Sequence, residues 1–165
     1  LYVTSTDLKT FSEVPKRLLP YDMATIDVII RREGDTYYAI LKDEKYPDFD
    51  WPTGKAIRIA TSAHALGPYS EPSGKISPSF REAPTLIPLP DQQGYYLYYE
   101  KYPGLAYEMS TAPSLAGPWI DFYSPKFIIP EGTRHGCMLP IDEATFQALS
   151  NAYGPFVEPE RPDAQ

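Results

Sequence analysis

Three stretches of the chain, 4–12, 61–70 and 110–119, repeat one pattern of small hydroxyl residues, a leucine and then an aromatic residue. The leucines are Leu8, Leu66 and Leu115, spaced 58 and 49 residues apart. Phe11, Tyr69 and Trp119 keep nearly the same step, and Gly67-Pro68 and Gly117-Pro118 precede the last two. Self-similarity with a period of roughly 50 residues, each copy long enough for about four short strands, is the mark of a β-propeller. The repeat constrains the chain more than any local propensity does, because each strand must be placed in step with its copies.

A second set of residues is also in phase. Asp27, Glu82 and His135 lie 55 and 53 residues apart, each near the start of the first strand of its unit. The hairpin returns match as well, Thr36-Tyr37-Tyr38 against Gly94-Tyr95-Tyr96. The stretch 79–101 shows one unit most plainly. Apolar runs at 85–89 and 95–99 flank a polar tract with Pro90, Asp91 and Gly94, which reads as a β-hairpin with Glu82 just ahead of its first strand. Similar patterning predicts strands at 1–5, 23–31, 37–41, 56–62, 105–111 and 134–141, with extended segments at 14–19 and 122–129. The stretch 144–152 fits a short strand or one to two helical turns, and periodicity does not separate them.

The predicted fold class is therefore all-β. Residues 1–154 form a partial β-propeller of about two full four-stranded blades plus parts of the flanking blades, and 155–165 form a loose acidic, proline-rich tail. The innermost strand of each blade lines a central channel, so Asp27, Glu82 and His135 are expected to point into one cavity. Phe11, Tyr69 and Trp119 are expected to pack the blades. Tyr46, Phe49 and Trp51, in a charged loop, either cover a blade edge or form a platform on which a sugar stacks.

Composition agrees and excludes some functions. Nineteen prolines argue against long helices, and 14 Tyr, 7 Phe and 2 Trp suit strands and sugar-binding surfaces. A formal charge of −7 with no basic run argues against nucleic acid as a partner. No apolar run is long enough for a membrane helix. A single cysteine, Cys137, leaves no intrachain disulfide and suits burial better than catalysis. No Ser-His-Asp set, phosphate loop or Cys/His metal cluster stands out. The chain shows no signal peptide and begins without Met inside a predicted strand, so periplasmic, secreted and cytoplasmic locations all stay open.

At these motifs the chain resembles glycoside hydrolase family 43, the five-bladed propeller arabinofuranosidases, xylosidases and arabinanases. Ile26-Asp27-Val28 with Gly34-Asp35-Thr36-Tyr37-Tyr38 matches one motif of that family, and Glu82-Ala83-Pro84 with Gly94-Tyr95-Tyr96-Leu97-Tyr98-Tyr99 matches the next. Thr6-Asp7-Leu8-Lys9-Thr10-Phe11-Ser12 and the two Gly-Pro-aromatic turns match its blade-edge motifs. The resemblance implies that Glu82 is a general acid and that Asp27 orients it and tunes its protonation. It also implies that His135 is a channel histidine beside a bound calcium or its waters, with no cofactor required. Arg81 and Arg134, as neighbours of these residues, are expected to meet substrate hydroxyls. The implied activity is inverting hydrolysis of arabinofuranosyl or xylosyl units in plant polysaccharide, with an oligosaccharide or polysaccharide as partner.

One part of the family pattern is missing. The general base of the family is an aspartate a whole blade ahead of the residue matched by Asp27. Asp7 falls in a blade-edge turn and Asp22 in a connecting loop, so neither matches it. Three expectations follow: a piece of a longer enzyme lacking an N-terminal segment, a short homologue that has lost hydrolysis and only binds carbohydrate or protein, or a homodimer that closes a ring. A mannoside phosphorylase is a weaker alternative, because no basic phosphate site is offered.

Overall fold

The computed structural model describes residues 1–90, 93–104, 106–122, 129, 132–155 and 157. Two antiparallel sheets follow one another along the chain, as successive blades of a partial propeller do. The first has the order β1 (Thr25–Glu33), β2 (Thr36–Asp43), β3 (Ile57–Ser62). The second has the order β4 (Arg81–Pro88), β5 (Tyr95–Lys101), β6 (Ala106–Ala112), β7 (Ile120–Phe122). The turn between β1 and β2 is two residues long, with Glu33 opposite Thr36. Gly34 takes φ +58° there, a left-handed conformation that a residue without Cβ adopts at little cost.

The first sheet completes its outer edge with serines instead of a fourth ladder. Ser70 N–H, Ser73 N–H and Ile76 N–H donate to the carbonyls of Thr61, Ile59 and Ile57 at 2.8, 2.7 and 2.8 Å. In return the N–H groups of Thr61, Ile59 and Ile57 donate to the hydroxyls of Ser70, Ser73 and Ser77, each at 3.0 Å. Pro72 and Pro78 cannot donate to a ladder, so hydroxyls complete the pairing and cover an otherwise open edge.

The main core is the seam between the sheets. Ile40, Ile57 and Ile59 meet Leu86, Leu97 and Tyr99, with Leu115 from the third repeated turn. Each fully buried aliphatic side chain contributes about 1.5–3 kcal/mol of transfer free energy. On the other face of the first sheet, Ala39, Leu41, Ala60 and Tyr69 are covered by Leu18, Leu19 and Tyr21.

The repeated turns share one geometry. Gly67 and Gly117 both have positive φ, both precede a cis proline, and both donate to the residue three positions back. In the N-terminal copy the Asp7 carboxylate substitutes, accepting Lys9 N–H and Thr10 N–H at 2.8 Å. Those bonds hold the Asp7 carboxyl well below the usual carboxylate range, the Thr10 N–H contributing most. The packing of the three copies differs. Tyr69 is buried and Trp119 packs on the seam, as expected of blade-packing residues, whereas Phe11 is 55% exposed, its turn belonging to neither of the two sheets among the described residues.

Two sequence expectations need correction, and one alternative left open is decided. The strand expected at 1–5 reduces to one bridge, Tyr2 with Lys16, because the next ladder position is taken: Thr4 accepts the Ser12 N–H at 2.9 Å and donates its own N–H to the Ser12 hydroxyl at 3.1 Å. The strand expected at 134–141 does not form. Its backbone N–H groups go to side chains, Gly136 to Tyr107 and Met138 to Thr85, and not to a neighbouring strand. The ambiguous stretch is a helix, α1 (Glu143–Tyr153), started by the Asp142 side chain accepting Thr145 N–H at 2.8 Å. The extended segment at 122–129 and the tail at 155–165 lie almost wholly outside the described residues.

Candidate active site

The site is built where β1 and β4 begin. Each of these strands carries a bulge at the same place, between Ile26 and Ile29 in β1 and between Glu82 and Thr85 in β4. The first bulge residue in each is left-handed, Asp27 at φ +50° and Ala83 at φ +50°. His135, at φ +47°, repeats this conformation in the third unit. The structural repeat thus pairs Asp27 with Ala83 and His135, and Glu82 with Ile26 and Arg134. Only Glu82 is out of step with the spacing read from the sequence, by one residue, because that spacing matched ionisable side chains and the second unit carries its carboxyl one position ahead of the left-handed residue.

The bulges bring the carboxyl groups together. Asp27 Oδ2 accepts the Ala83 N–H at 2.9 Å, so the β1 carboxylate grips the backbone next to Glu82. Glu82 itself is largely buried. Its Oε1 accepts from Arg134 Nη2 at 3.0 Å and stands 3.4 Å from His135 Nε2. Its Oε2 faces Lys42 Nζ at 3.7 Å. Asp27, Glu82, Arg134 and His135 therefore share one cluster.

Two predicted residues lie elsewhere. Arg81 precedes Glu82 on β4, so alternation sends it to the opposite face. There it forks onto Glu108 of β6, at 2.7 and 2.9 Å. Trp51 lies in the loop between β2 and β3, with the Arg58 guanidinium 4.2 Å from its ring centre. It lines a cavity of about 510 Å³ with Tyr21, Met23, Lys45 and Glu71. No hydrogen bond or ion pair among the described residues links Trp51 to Glu82.

Sequence reasoning missed Lys42 and Glu100, which complete the cluster. Lys42 lies opposite Ile26, and Glu100 opposite Glu82, at corresponding ends of β2 and β5. Both are almost fully buried. Lys42 is ion-paired to Glu44, which also meets Lys55 at 2.7 Å, and its ammonium sits 4.8 Å from the Tyr102 ring centre. Burial, and then the charge of Lys55, pull the Lys42 ammonium below its ordinary value, while Glu82, Asp27 and Asp43 oppose them. The Tyr102 phenol is pushed up to about 12, first by burial and then by the charge of Glu82. Glu100 Oε1 accepts from Arg134 Nε at 2.5 Å, and Oε2 accepts the His135 N–H at 3.2 Å. The available signal was a charged residue ending an apolar strand, in Leu41-Lys42-Asp43 and Tyr99-Glu100-Lys101. Without the bulges, register counting does not place either one against the next blade.

Glu82, Glu100 and His135 each offer one ligand atom, all within 4.8 Å of one another, a spacing that could hold a metal ion. The sequence shows no such cluster, since its members come from two units and span 53 residues. Cys137 is exposed, not buried.

Among solved structures, an exo-beta-1,3-galactanase from Phanerochaete chrysosporium, crystallised with beta-1,3-galactotriose, shares 15% identity with a TM-score of 0.34. The match covers 73% of this chain and 42% of that enzyme, a likeness too distant to place a site. No curated protein matches the chain. A family model described as a probable glycosyl hydrolase domain, related to glycoside hydrolase family 43, matches residues 1–147. The chain belongs to that glycosyl hydrolase family.

Proposed function

We propose that the protein acts on glycosidic bonds, with Glu82 as the general acid and Asp27 as the carboxylate that positions it. The observation that carries this reading is the Asp27 hydrogen bond to the Ala83 N–H. It fixes the backbone beside Glu82 from the neighbouring blade, as a proton donor that must meet a glycosidic oxygen requires. The mouth of the cluster is lined by Arg134 and His135, each about half exposed, which supply hydrogen-bond donors for sugar hydroxyls. The substrates proposed are arabinofuranosyl or xylosyl units, hydrolysed with inversion. That outcome needs a second carboxylate about 6.5–9.5 Å from the acid to activate water. In this reading it comes from a further blade, in the same chain or in a second copy. Any calcium belongs beside His135, and Trp51 offers sugar contact away from the acid.

A second reading is favoured by one observation. Both oxygens of Glu82 face cationic groups, Arg134 on one side and Lys42 on the other. A carboxylate so held suits a module that binds carbohydrate without cleaving it. Chromogenic arabinofuranoside and xyloside, with calorimetry on the matching oligosaccharides, separate the two. Turnover lost by at least about a thousandfold in Glu82→Gln, with binding kept, supports the acid. Binding without turnover in the full-length protein supports the module. Turnover that survives Glu82→Gln ends the acid assignment.

A further inference from the structure

The Glu82–Glu100–His135 cluster already holds a cation of the chain's own. Arg134 places Nε on Glu100 at 2.5 Å and Nη2 on Glu82 at 3.0 Å, bridging the two carboxylates. His135 Nε2 approaches the same Glu82 oxygen that Arg134 uses. Glu100 is wholly buried, and the backbone N–H of His135 pins its other oxygen, so this carboxylate is fixed. Arg134 is different: its side chain is 47% exposed, with solvent on its open side.

Two carboxylates and an imidazole make a mixed oxygen–nitrogen set. Such a set suits a first-row divalent ion better than calcium, which takes six to eight oxygens. An ion bound to these three atoms would need the oxygens that the guanidinium now uses, and two cations so close repel. We propose that Arg134 is the resident, displaceable cation of this cluster, and that a divalent metal ion binds there only by pushing its guanidinium out. Arg134, more than the ligand set, then fixes how tightly the cluster takes a metal. The metal-loaded form turns the guanidinium toward the open mouth, where it is free to meet a sugar hydroxyl or carboxylate. This inference does not depend on whether Glu82 donates a proton.

The test uses Mn²⁺, whose unbound form is read by electron paramagnetic resonance, together with calorimetry on metal-free protein. Arg134→Gln should bind Mn²⁺ at least about tenfold more tightly than the wild type, since no charge-assisted hydrogen bond must be broken first. Adding Glu100→Gln should abolish the gain. Binding by Arg134→Gln that is no tighter than wild type, or a gain that survives Glu100→Gln, overturns the proposal. Near-UV circular dichroism shows whether the variants fold. Should Arg134→Gln not fold, the wild-type Arg134 Nε–H resonance decides, assigned with Arg134→Lys and followed under Zn²⁺. At saturation it should move to the position of solvent-exposed arginines. A bound metal with that resonance unmoved, or no binding at millimolar Zn²⁺, overturns the proposal equally.

Discussion

The junction between the two sheets and the junction between the second sheet and residues 133–138 use the same polar arrangement with opposite charges. In the first, buried Lys42 ends β2 and reaches across to Glu82, while Asp27 accepts the N–H of left-handed Ala83. In the second, buried Glu100 ends β5 and reaches Arg134, while also accepting the N–H of left-handed His135. The apolar backing is what differs. Behind the first junction lies the seam of Ile40, Ile57, Ile59, Leu86, Leu97 and Tyr99. Beyond the second, Leu139 and Ile141 are 68% and 51% exposed. Strands form at the first junction, and the predicted strand at the second does not. Polar bonds at a strand mouth set position, but a ladder also needs a buried face to offset the entropy of ordering its backbone.

The largest effect should come from breaking the seam. Leu97→Ala removes a fully buried side chain and should cost about 2–5 kcal/mol in urea unfolding. If the seam is what makes the first junction a pair of sheets, the loss should be global, appearing in the amide exchange of both. Exchange confined to β5 would mean that the two sheets fold independently.

The second junction should yield to a polar change alone. Glu100→Gln weakens its bonds to Arg134 and His135 together, a local loss of about 1–3 kcal/mol. The amides of Gly136 and Met138 should exchange faster while Ile40 and Leu97 stay protected. Equal deprotection of the seam would show that the two junctions are a single cooperative unit. Asp27→Ala makes the matching change at the first junction and should cost about 1–2 kcal/mol, the worth of its bond to Ala83. There the seam should keep both sheets protected.

Alkaline pH separates the regions more gently. Tyr99, in the seam, has its phenol pushed up chiefly by burial, and Tyr21, covering the other face of the first sheet, is pushed up to about 12 by burial and then by Glu71. A folded value raised above the unfolded value near 10 gives stability that is complete below pH 10 and is lost as pH rises toward 12. Tyrosinate absorbance should therefore lag for these rings, and the urea midpoint should fall across that window. Tyr99→Phe should flatten the fall. An unchanged slope would remove Tyr99 as its source.

The smallest effect should be Leu139→Ala, within about 0.5 kcal/mol of wild type, because the side chain has little packing to lose. A cost near that of Leu97→Ala would place a buried face on this segment and erase the contrast between the junctions.

The sequence by itself determined the repeat and therefore the fold class. Turn chemistry and alternation are local, so 61–70 and 110–119 were recognisable as copies, and 95–99 as a strand, before any coordinate. It also singled out Asp27, Glu82, Arg134 and His135, because ionisable residues at apolar strand mouths stand out. Tertiary structure decided how these residues meet. Glu82 stands one residue ahead of the position that Asp27 and His135 hold, alternation turns Arg81 away to Glu108, and the register at the ends of β2 and β5 makes Lys42 and Glu100 the partners of the next unit. A bulge follows from how two strands pair, and burial follows from which sheet lies opposite. Neither is written in the period of a single strand, which is why the absence of the predicted strand at 134–141 and the charge-reversed pairing of the two junctions appear only in the fold.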